Sequence, residues 1–261
     1  MTRRTSSSSD VVWSASDLTG DPHQASDKAV RVQRMFAAIA QRYDLNNRVH
    51  SLWRDQAWRR AAVALCRVKP TDHVLDAACG TGDLAEAFVA AGANAVVGAD
   101  FTAPMLTLAR RKAERIRRRA GRVSPRYAQA DVMDLPFEDA SFDIVSIAFG
   151  IRNVTAPATA LGEFRRVLRR GGRIVILEFS HPTNRVLRFV NSIYCGHIMP
   201  FSATILSGDR SGAYRYLPKS VATFADRQAL VAMLADAGFV NITQHPMTFG
   251  VCVAYLGHVP P

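Results

Sequence analysis

The chain has 261 residues, 48% hydrophobic and 21% charged, enough apolar content to bury one sizeable core and too much for a disordered protein. No apolar run approaches the roughly 20 residues of a membrane span, and no signal peptide with an apolar centre is visible. Cys66, Cys79, Cys195 and Cys252 stand too far apart for a zinc or redox spacing, so the expectation is a cytoplasmic protein with reduced thiols and no metal site. The formal net charge is +11, and basic residues gather at Arg110-Arg111-Lys112, Arg115, Arg117-Arg118-Arg119 and Arg122, then at Arg165-Arg166, Arg169-Arg170 and Arg173. Anionic lipid or nucleic acid could meet such faces. Solvated outer faces of amphipathic helices explain them equally well, and no aromatic residues interleave the arginines as a single-strand platform requires. No nucleic-acid partner is expected.

Residues 1–27 carry a serine run and little periodicity, which predicts a disordered tail. Arg3 and Arg4 among serines faintly suggest a transit peptide, and Asp10, Asp17 and Asp21 argue against one. From Lys28 to Pro70 two helices are expected. The first, Val32 to Asp44, lays Val32, Met35, Phe36, Ile39 and Ala40 on one face, and the second runs from Trp53 to Cys66 before Lys69-Pro70 ends it. An alternating core follows. Strands are expected at 73–78, 95–101, 126–130, 142–151 and 173–179, with helices at 83–91, 104–120 and 158–169, the last closed by Gly171-Gly172 as a C-cap pair. The alternation predicts an α/β, Rossmann-like, mainly parallel sheet with helices on both faces. Asn184 to Ile205 breaks the pattern with an apolar, aromatic run, expected as an inserted helical cover; core packing and a lid over an apolar substrate account for it equally. A helix at 226–237 and a hairpin at 241–248 and 250–256 finish the domain.

The richest stretch is Val74-Leu75-Asp76-Ala77-Ala78-Cys79-Gly80-Thr81-Gly82-Asp83-Leu84, an apolar strand ending in an acid, a glycine turn and a helix start. Gly80 and Gly82 let the backbone turn sharply against a ligand. The glycine spacing alone also fits a dinucleotide fingerprint. Asp76 argues against pyrophosphate, which it would repel, and suits S-adenosylmethionine, whose ammonium and sulfonium are cationic. Asp100, ending the second strand about twenty residues later, is placed to accept both ribose hydroxyls. Asp131, at the end of the third strand, is placed to accept from an adenine amine, although capping also explains it.

Several segments together are narrower. Phe36-x-x-Ile39-Ala40-x-x-Tyr43-Asp44-x-x-Asn47, Leu75-Asp76-x-Ala78-x-Gly80-Thr81-Gly82-Asp83, Leu135-Pro136-Phe137, Phe149-Gly150-Ile151-Arg152-Asn153-Val154, Leu177-Glu178-Phe179-Ser180 and Tyr214-Arg215-Tyr216-Leu217-Pro218-x-Ser220-Val221 resemble the UbiE/MenG family of quinone-biosynthesis C-methyltransferases, from about Val32 to Gly257. The resemblance implies a class I methyltransferase fold and transfer of a methyl group from S-adenosylmethionine to a ring carbon of a polyprenylated quinol. The acceptor would be a demethylmenaquinol, or the benzoquinol precursor of ubiquinone. Carried over by position, the family's cofactor residues fall on Thr81, Asp100, Asp131 and Val132, while a serine of the family's fourth strand is Ala148 here.

Ring methylation is fastest when a neighbouring hydroxyl is ionised, and a phenol's pKa of about 10 obliges the site to stabilise the anion. Arg152, just past the fourth strand, suits that role and is too basic to act as the base. Tyr43, Asp44, Asn47 and Asn153 could position the quinol oxygens. For Asp44 and Asn153 local capping or turn bonding is an equal explanation, and Tyr216 is as readily a packing residue. The expected setting is the inner face of a membrane, with the tail on the 184–205 cover and the basic helices against lipid; a homodimer is left open. An RNA methyltransferase would carry a catalytic cysteine motif or an Asn-Pro-Pro-Tyr type loop, and neither is present in the Phe-Gly-Ile-Arg-Asn segment. The intact glycine loop and acids argue against an inactive cofactor-binding subunit.

Overall fold

The computed structural model describes residues 11–120 and 124–261. Five parallel strands, β1 (His73–Ala77), β2 (Ala95–Asp100), β3 (Arg126–Gln129), β4 (Phe142–Ala148) and β5 (Leu168–Phe179), are extended by an antiparallel hairpin, β6 (Val240–Met247) and β7 (Cys252–His258). The seven strands lie in the order β3-β2-β1-β4-β5-β7-β6, so the strand order reverses between the parallel neighbours β1 and β4. In an open α/β sheet that reversal leaves a crevice at the carboxyl ends of the two strands.

Side chains alternate across the sheet and seed two cores. Leu75, Val145, Ile147, Ile174 and Ile176 face α5 (Pro157–Val167) and α9 (Arg227–Asp236). Val74, Ile144, Val175 and Leu177 face α2 (Arg54–Leu65) and α3 (Asp83–Ala90) through Trp58, Ala62, Leu84 and Phe88. Leu75, Ile144 and Ile147 are fully buried, and removing such a side chain costs about 2–5 kcal/mol. A third cluster gathers over the carboxyl edge. There α1 (Lys28–His50) packs Val32, Met35 and Ile39 against α7 (Met199–Ser207) and α8 (Ala213–Thr223), while α4 (Ala103–Ala120) flanks β2 and β3.

Three expectations need correction. The helix before β5 ends at Val167, and Gly171-Gly172 lie inside the strand: Leu168 already pairs with Phe142, and the glycines absorb a register shift with Gly171 at φ 70°. The fourth strand stops at Ala148, because Phe149 turns left-handed at φ 57° and Ile151–Asn153 wind into one 3-10 turn. Of the tail expected to be disordered, residues 1–10 lie outside the described residues, but Val12 and Trp13 are buried. Their N–H groups donate to Ser211 O at 3.0 and 2.9 Å, and the Trp13 ring stacks on Tyr216 at 4.7 Å. An aromatic anchor of this kind needs no periodicity.

The basic clusters are largely spoken for. Arg117 and Arg118 pair with Glu114, Arg166 with Glu163 and Asp139, Arg169 with Asp143 and Arg173 with Asp72, while Arg110 donates to Tyr127 O. Arg122 lies outside the described residues.

The segment after β5 is helical: α6 (Arg185–Ile193), a π-helical turn at Tyr194–Ile198, and α7 follow without a break. Asn184 caps α6 by accepting from the Val186 and Leu187 N–H groups. No helix among the described residues is long and apolar enough to cross a membrane.

Candidate active site

The turn after β1 is built on positive φ angles at Ala78, Gly80 and Gly82. Gly82 is required by more than its φ of 82°, because a Cβ there would run into the Tyr127 hydroxyl and sit 2.9 Å from its Cζ. Gly82→Ala is therefore expected to cost about 2–4 kcal/mol of stability, strain and overlap combined, and to weaken donor binding at least about tenfold, read from thermal melts and equilibrium binding.

Asp100 holds this turn from the neighbouring strand. Its Oδ2 accepts from Gly80 N–H and its Oδ1 from Thr102 N–H, both at 2.8 Å, and burial raises its pKa against those bonds. Each carboxylate oxygen keeps a lone pair for a ligand hydroxyl. Gly80 and Asp100 line a crevice with Ala130, Asp131, Val132 and Met133 at the end of β3, Ala148 and Phe149 at the end of β4, and Asn153. Asp131 accepts from Met133 N–H at 2.9 Å, and Thr102 Oγ1 is buried beside Asp100 with no hydrogen-bond partner among the described residues. Along one face of α1, Ala29, Val32, Phe36 and Tyr43 close the crevice from above.

Three expected cofactor residues do not reach this wall. The Asp76 carboxyl lies in the sheet beneath the turn: Oδ1 accepts from Ser146 Oγ at 2.8 Å, Oδ2 is buried with no hydrogen-bond partner among the described residues, and burial pushes its pKa up to about 7. Gly82 and Thr81 support the turn from behind, and Thr81 Oγ1 donates to Asp44 Oδ1. Asp44 also accepts from Lys112, which pairs with Asp83; burial alone would raise the Asp83 carboxyl, but Lys112, Arg59 and Arg48 outweigh it and hold its pKa low. Asp44 thus ties α1 to the glycine turn and to α4, and does not line either cavity.

A second cavity, about 1050 Å³ against about 80 Å³ for the crevice, meets it where Phe36, Tyr43 and Phe149 line both. Only the larger one has room for a bulky acceptor. Its walls come from α1, α2, the end of β5, the α6–α7 segment and α8. Trp58, Phe149 and Phe179 form an aromatic corner with ring centroids 4.5–6.3 Å apart, crossed by Arg59 over Phe149 and Arg152 over Phe179.

Arg152 is 4% exposed. Its Nη1 donates to Phe149 O and to Glu178 Oε1, both at 2.7 Å, and its Nε points at Ser220 Oγ at 3.4 Å; Nη2 makes no hydrogen bond to the described residues. Burial pushes the Glu178 pKa up, and Arg152 only partly offsets it. Lys28 of α1 steadies the Arg152 segment from outside, donating to Arg152 O at 3.0 Å and Val154 O at 2.7 Å, with its own pKa lowered by burial to about 8. Asn153 donates to Phe149 O at 3.2 Å and accepts from Tyr216 OH at 3.0 Å, so its amide is braced across to α8. Tyr43 is partly buried between the cavities, and desolvation of its hydroxyl raises its pKa.

Sequence reasoning quoted Glu178 only within a motif, without a role, and missed the buried Asp55–Arg59 pair (2.9 Å); all three residues stand in the larger cavity's wall. Each had a signal. Glu178 is an acid at the end of an apolar strand, and Asp55 and Arg59 stand at i, i+4 on an amphipathic helix.

A 3-2-1-4-5 parallel sheet with a closing hairpin, a glycine turn after β1 and an acid ending β2 define a class I methyltransferase fold. Solved structures agree: a putative methyltransferase in complex with the Trm112 activator from Haloferax volcanii matches with a TM-score of 0.59 at 18% identity, over 87% of this chain and 98% of that one. A SAM-dependent methyltransferase from Thermotoga maritima matches with a TM-score of 0.59 at 17% identity, over 87% and 99%. The chain belongs to the ubiE/COQ5 methyltransferase family, whose model matches residues 24–259. It is 47% identical to a demethylmenaquinone methyltransferase of Thermus thermophilus over 87% of this chain and 100% of that one. To another of the same name in Deinococcus radiodurans it is 43% identical over 88% and 93%, and to a ubiquinone/menaquinone biosynthesis C-methyltransferase UbiE of Ectopseudomonas mendocina 39% identical over 90% and 91%.

Proposed function

We propose that the chain transfers a methyl group from S-adenosylmethionine to a ring carbon of a polyprenylated quinol, with demethylmenaquinol as its acceptor. The observation that carries this is the meeting of the narrow crevice and the large, mostly apolar cavity at Phe36, Tyr43 and Phe149, with a buried arginine in the cavity wall. The crevice suits the donor: Asp100 offers two oxygens to a ribose, and Thr102 Oγ1 is buried with no partner among the described residues. When bound there, the donor supplies an electrophilic methyl group on a sulfonium.

This chain's own residues do the rest. The free Nη2 edge of Arg152 holds the acceptor oxygen as an anion, so that electron density moves to the adjacent ring carbon. Glu178 and the Phe149 carbonyl fix the guanidinium plane, Tyr43 orients the acceptor at the junction, and Asn153, on the crevice side, braces the turn after β4 against α8. Phe149, Trp58 and Phe179 exclude water and hold the ring, and proximity of this kind supplies roughly 7–11 kcal/mol of a transfer barrier.

A benzoquinol acceptor is the second reading, favoured by the UbiE relative whose printed name covers both quinones. The test is methyl-labelled S-adenosylmethionine with purified protein and three acceptors: a short-chain demethylmenaquinol, a short-chain methoxy-polyprenyl-benzoquinol, and bulk RNA. Label in the naphthoquinol alone is the expected result, label in both quinols means a dual-pathway enzyme, and label in RNA alone overturns the proposal.

A further inference from the structure

The helices that wall the large cavity have a second face with no partner among the described residues. Arg188, Asn191, Tyr194 and Met199 line the cavity, whereas Phe189 (66% exposed) and Phe201 (72%) on the same segment point to solvent with Val186, Val190 and Ile205. Adjacent to them, the link between α1 and α2 holds Leu52 and Trp53 outward, 81% and 59% exposed. Both residues are left-handed, at φ 52° and 59°. Consecutive bulky residues rarely adopt that conformation, and nothing in the hydrophobic cores rewards it here. The two elements are joined: Tyr194 OH donates to His50 O at 2.9 Å, and His50 Nε2 meets Ser202 Oγ at 2.9 Å. An apolar surface of this extent on a soluble fold marks an interaction site.

Its charge selects the partner. Residues 45–54 and 184–208 contain no aspartate or glutamate, while Arg54 and Arg185 are exposed at its edge. Apolar and aromatic side chains rimmed by arginine alone, on helices unable to span a bilayer, have the make-up of an interfacial segment. The arginine clusters on α4, α5 and the start of β5, by contrast, are mostly engaged with acids and carbonyls of the chain itself.

We infer that the outer face of α6–α7, together with the Leu52–Trp53 link, is a docking surface for an anionic lipid bilayer. The wall of the acceptor cavity is then the inner side of the membrane-contacting element, so a lipid-tailed acceptor passes from the bilayer to the site without crossing water. This rests on the proposed polyprenylated acceptor for its purpose, but not for its test.

The test is flotation of the full chain with vesicles of phosphatidylcholine alone or with about 30% phosphatidylglycerol. The wild type is expected to float at least about tenfold more strongly with the anionic vesicles, and W53S/F201S to lose at least about tenfold of that binding. Neither residue lines the cavity, so turnover of a water-soluble short-chain quinol by W53S/F201S is expected to match wild type, while turnover of a long-chain quinol embedded in vesicles falls about as much as flotation does. R54E/R185E is expected to remove the preference for anionic lipid, an independent reading should W53S/F201S fail to fold. Equal flotation of wild type and both variants overturns the inference. So does a wild-type dimer in sedimentation that W53S/F201S converts to monomer, which would make the face a contact between copies. Absence of turnover on every quinol would instead sink the functional reading, with the flotation result standing by itself.

Discussion

Arg152→Met is expected to lower turnover at least about a hundredfold while leaving equilibrium binding of the donor near wild type, because the guanidinium lines the acceptor cavity and not the crevice. It is also expected to destabilise the fold. Glu178 is buried, its Oε1 accepts from Arg152 Nη1 and from the Phe179 N–H, and its Oε2 has no hydrogen-bond partner among the described residues. Removing the arginine leaves Glu178 in an apolar corner without its partner, obliged to take up a proton or stay as an unpaired charge, and breaking a buried pair in this way usually costs about 3–5 kcal/mol. The companion Arg152→Met/Glu178→Leu separates the two effects: its melting temperature is expected to return most of the way to wild type and its turnover is not. If the double variant recovers turnover along with stability, the electrostatic role proposed for Arg152 is wrong.

Asp76→Asn is expected to stabilise the free protein near neutral pH and to weaken donor binding. In the unfolded chain an aspartate ionises near 3.8, whereas burial holds Asp76 protonated up to about 7 in the fold. The folded form therefore binds the extra proton between those values. Stability from this group is fully present below pH 4, declines as pH rises, and reaches its full deficit above pH 7, on the order of 4 kcal/mol. The asparagine still accepts from Ser146 Oγ and does not titrate. The difference in unfolding free energy between variant and wild type should thus grow from near zero at pH 4 to its maximum by pH 7–8, as measured by denaturant titration across that range. A cationic donor near the turn favours the ionised carboxyl, so wild-type affinity should fall as pH drops below 7 while that of the variant stays flat. A constant difference in stability at every pH would contradict the buried, protonated carboxyl.

The sheet was legible because its strands are short apolar runs bounded by glycine and acid, and because helix-period segments alternate with them. Asp100 was legible for the same reason: strand end, turn and spacing place it without knowledge of any contact. Asp76 was less so. Strand alternation puts it in the sheet rather than the crevice, but its chemistry suggested a ligand contact. For Asp44 the sequence leaves quinol positioning and local bonding side by side; its partners Thr81, Lys112 and Arg48 bring together α1, the glycine turn and α4, contacts that no local pattern encodes. Arg152 was placed correctly after β4, yet the partner that orients it lies 26 residues away at the end of β5, a pairing no local pattern encodes. The Trp13 anchor was not legible because one indole stacked on Tyr216, with the Val12 and Trp13 N–H groups both donating to Ser211 O, leaves no periodic trace.

A single rod, α1, roofs both chambers. Ala29, Val32, Phe36 and Tyr43 lie over the donor crevice, and Met35, Ile39 and Asn46, on the adjoining stripe of the same rod, face the acceptor cavity. Lys28 pins one end to the Arg152 segment and Asp44 pins the body to the glycine turn. A shift of that rod large enough to admit one substrate alters the walls offered to the other. Donor and acceptor affinities are thereby linked, and by thermodynamic reciprocity whatever factor the first to arrive imposes on the second, the second returns to the first.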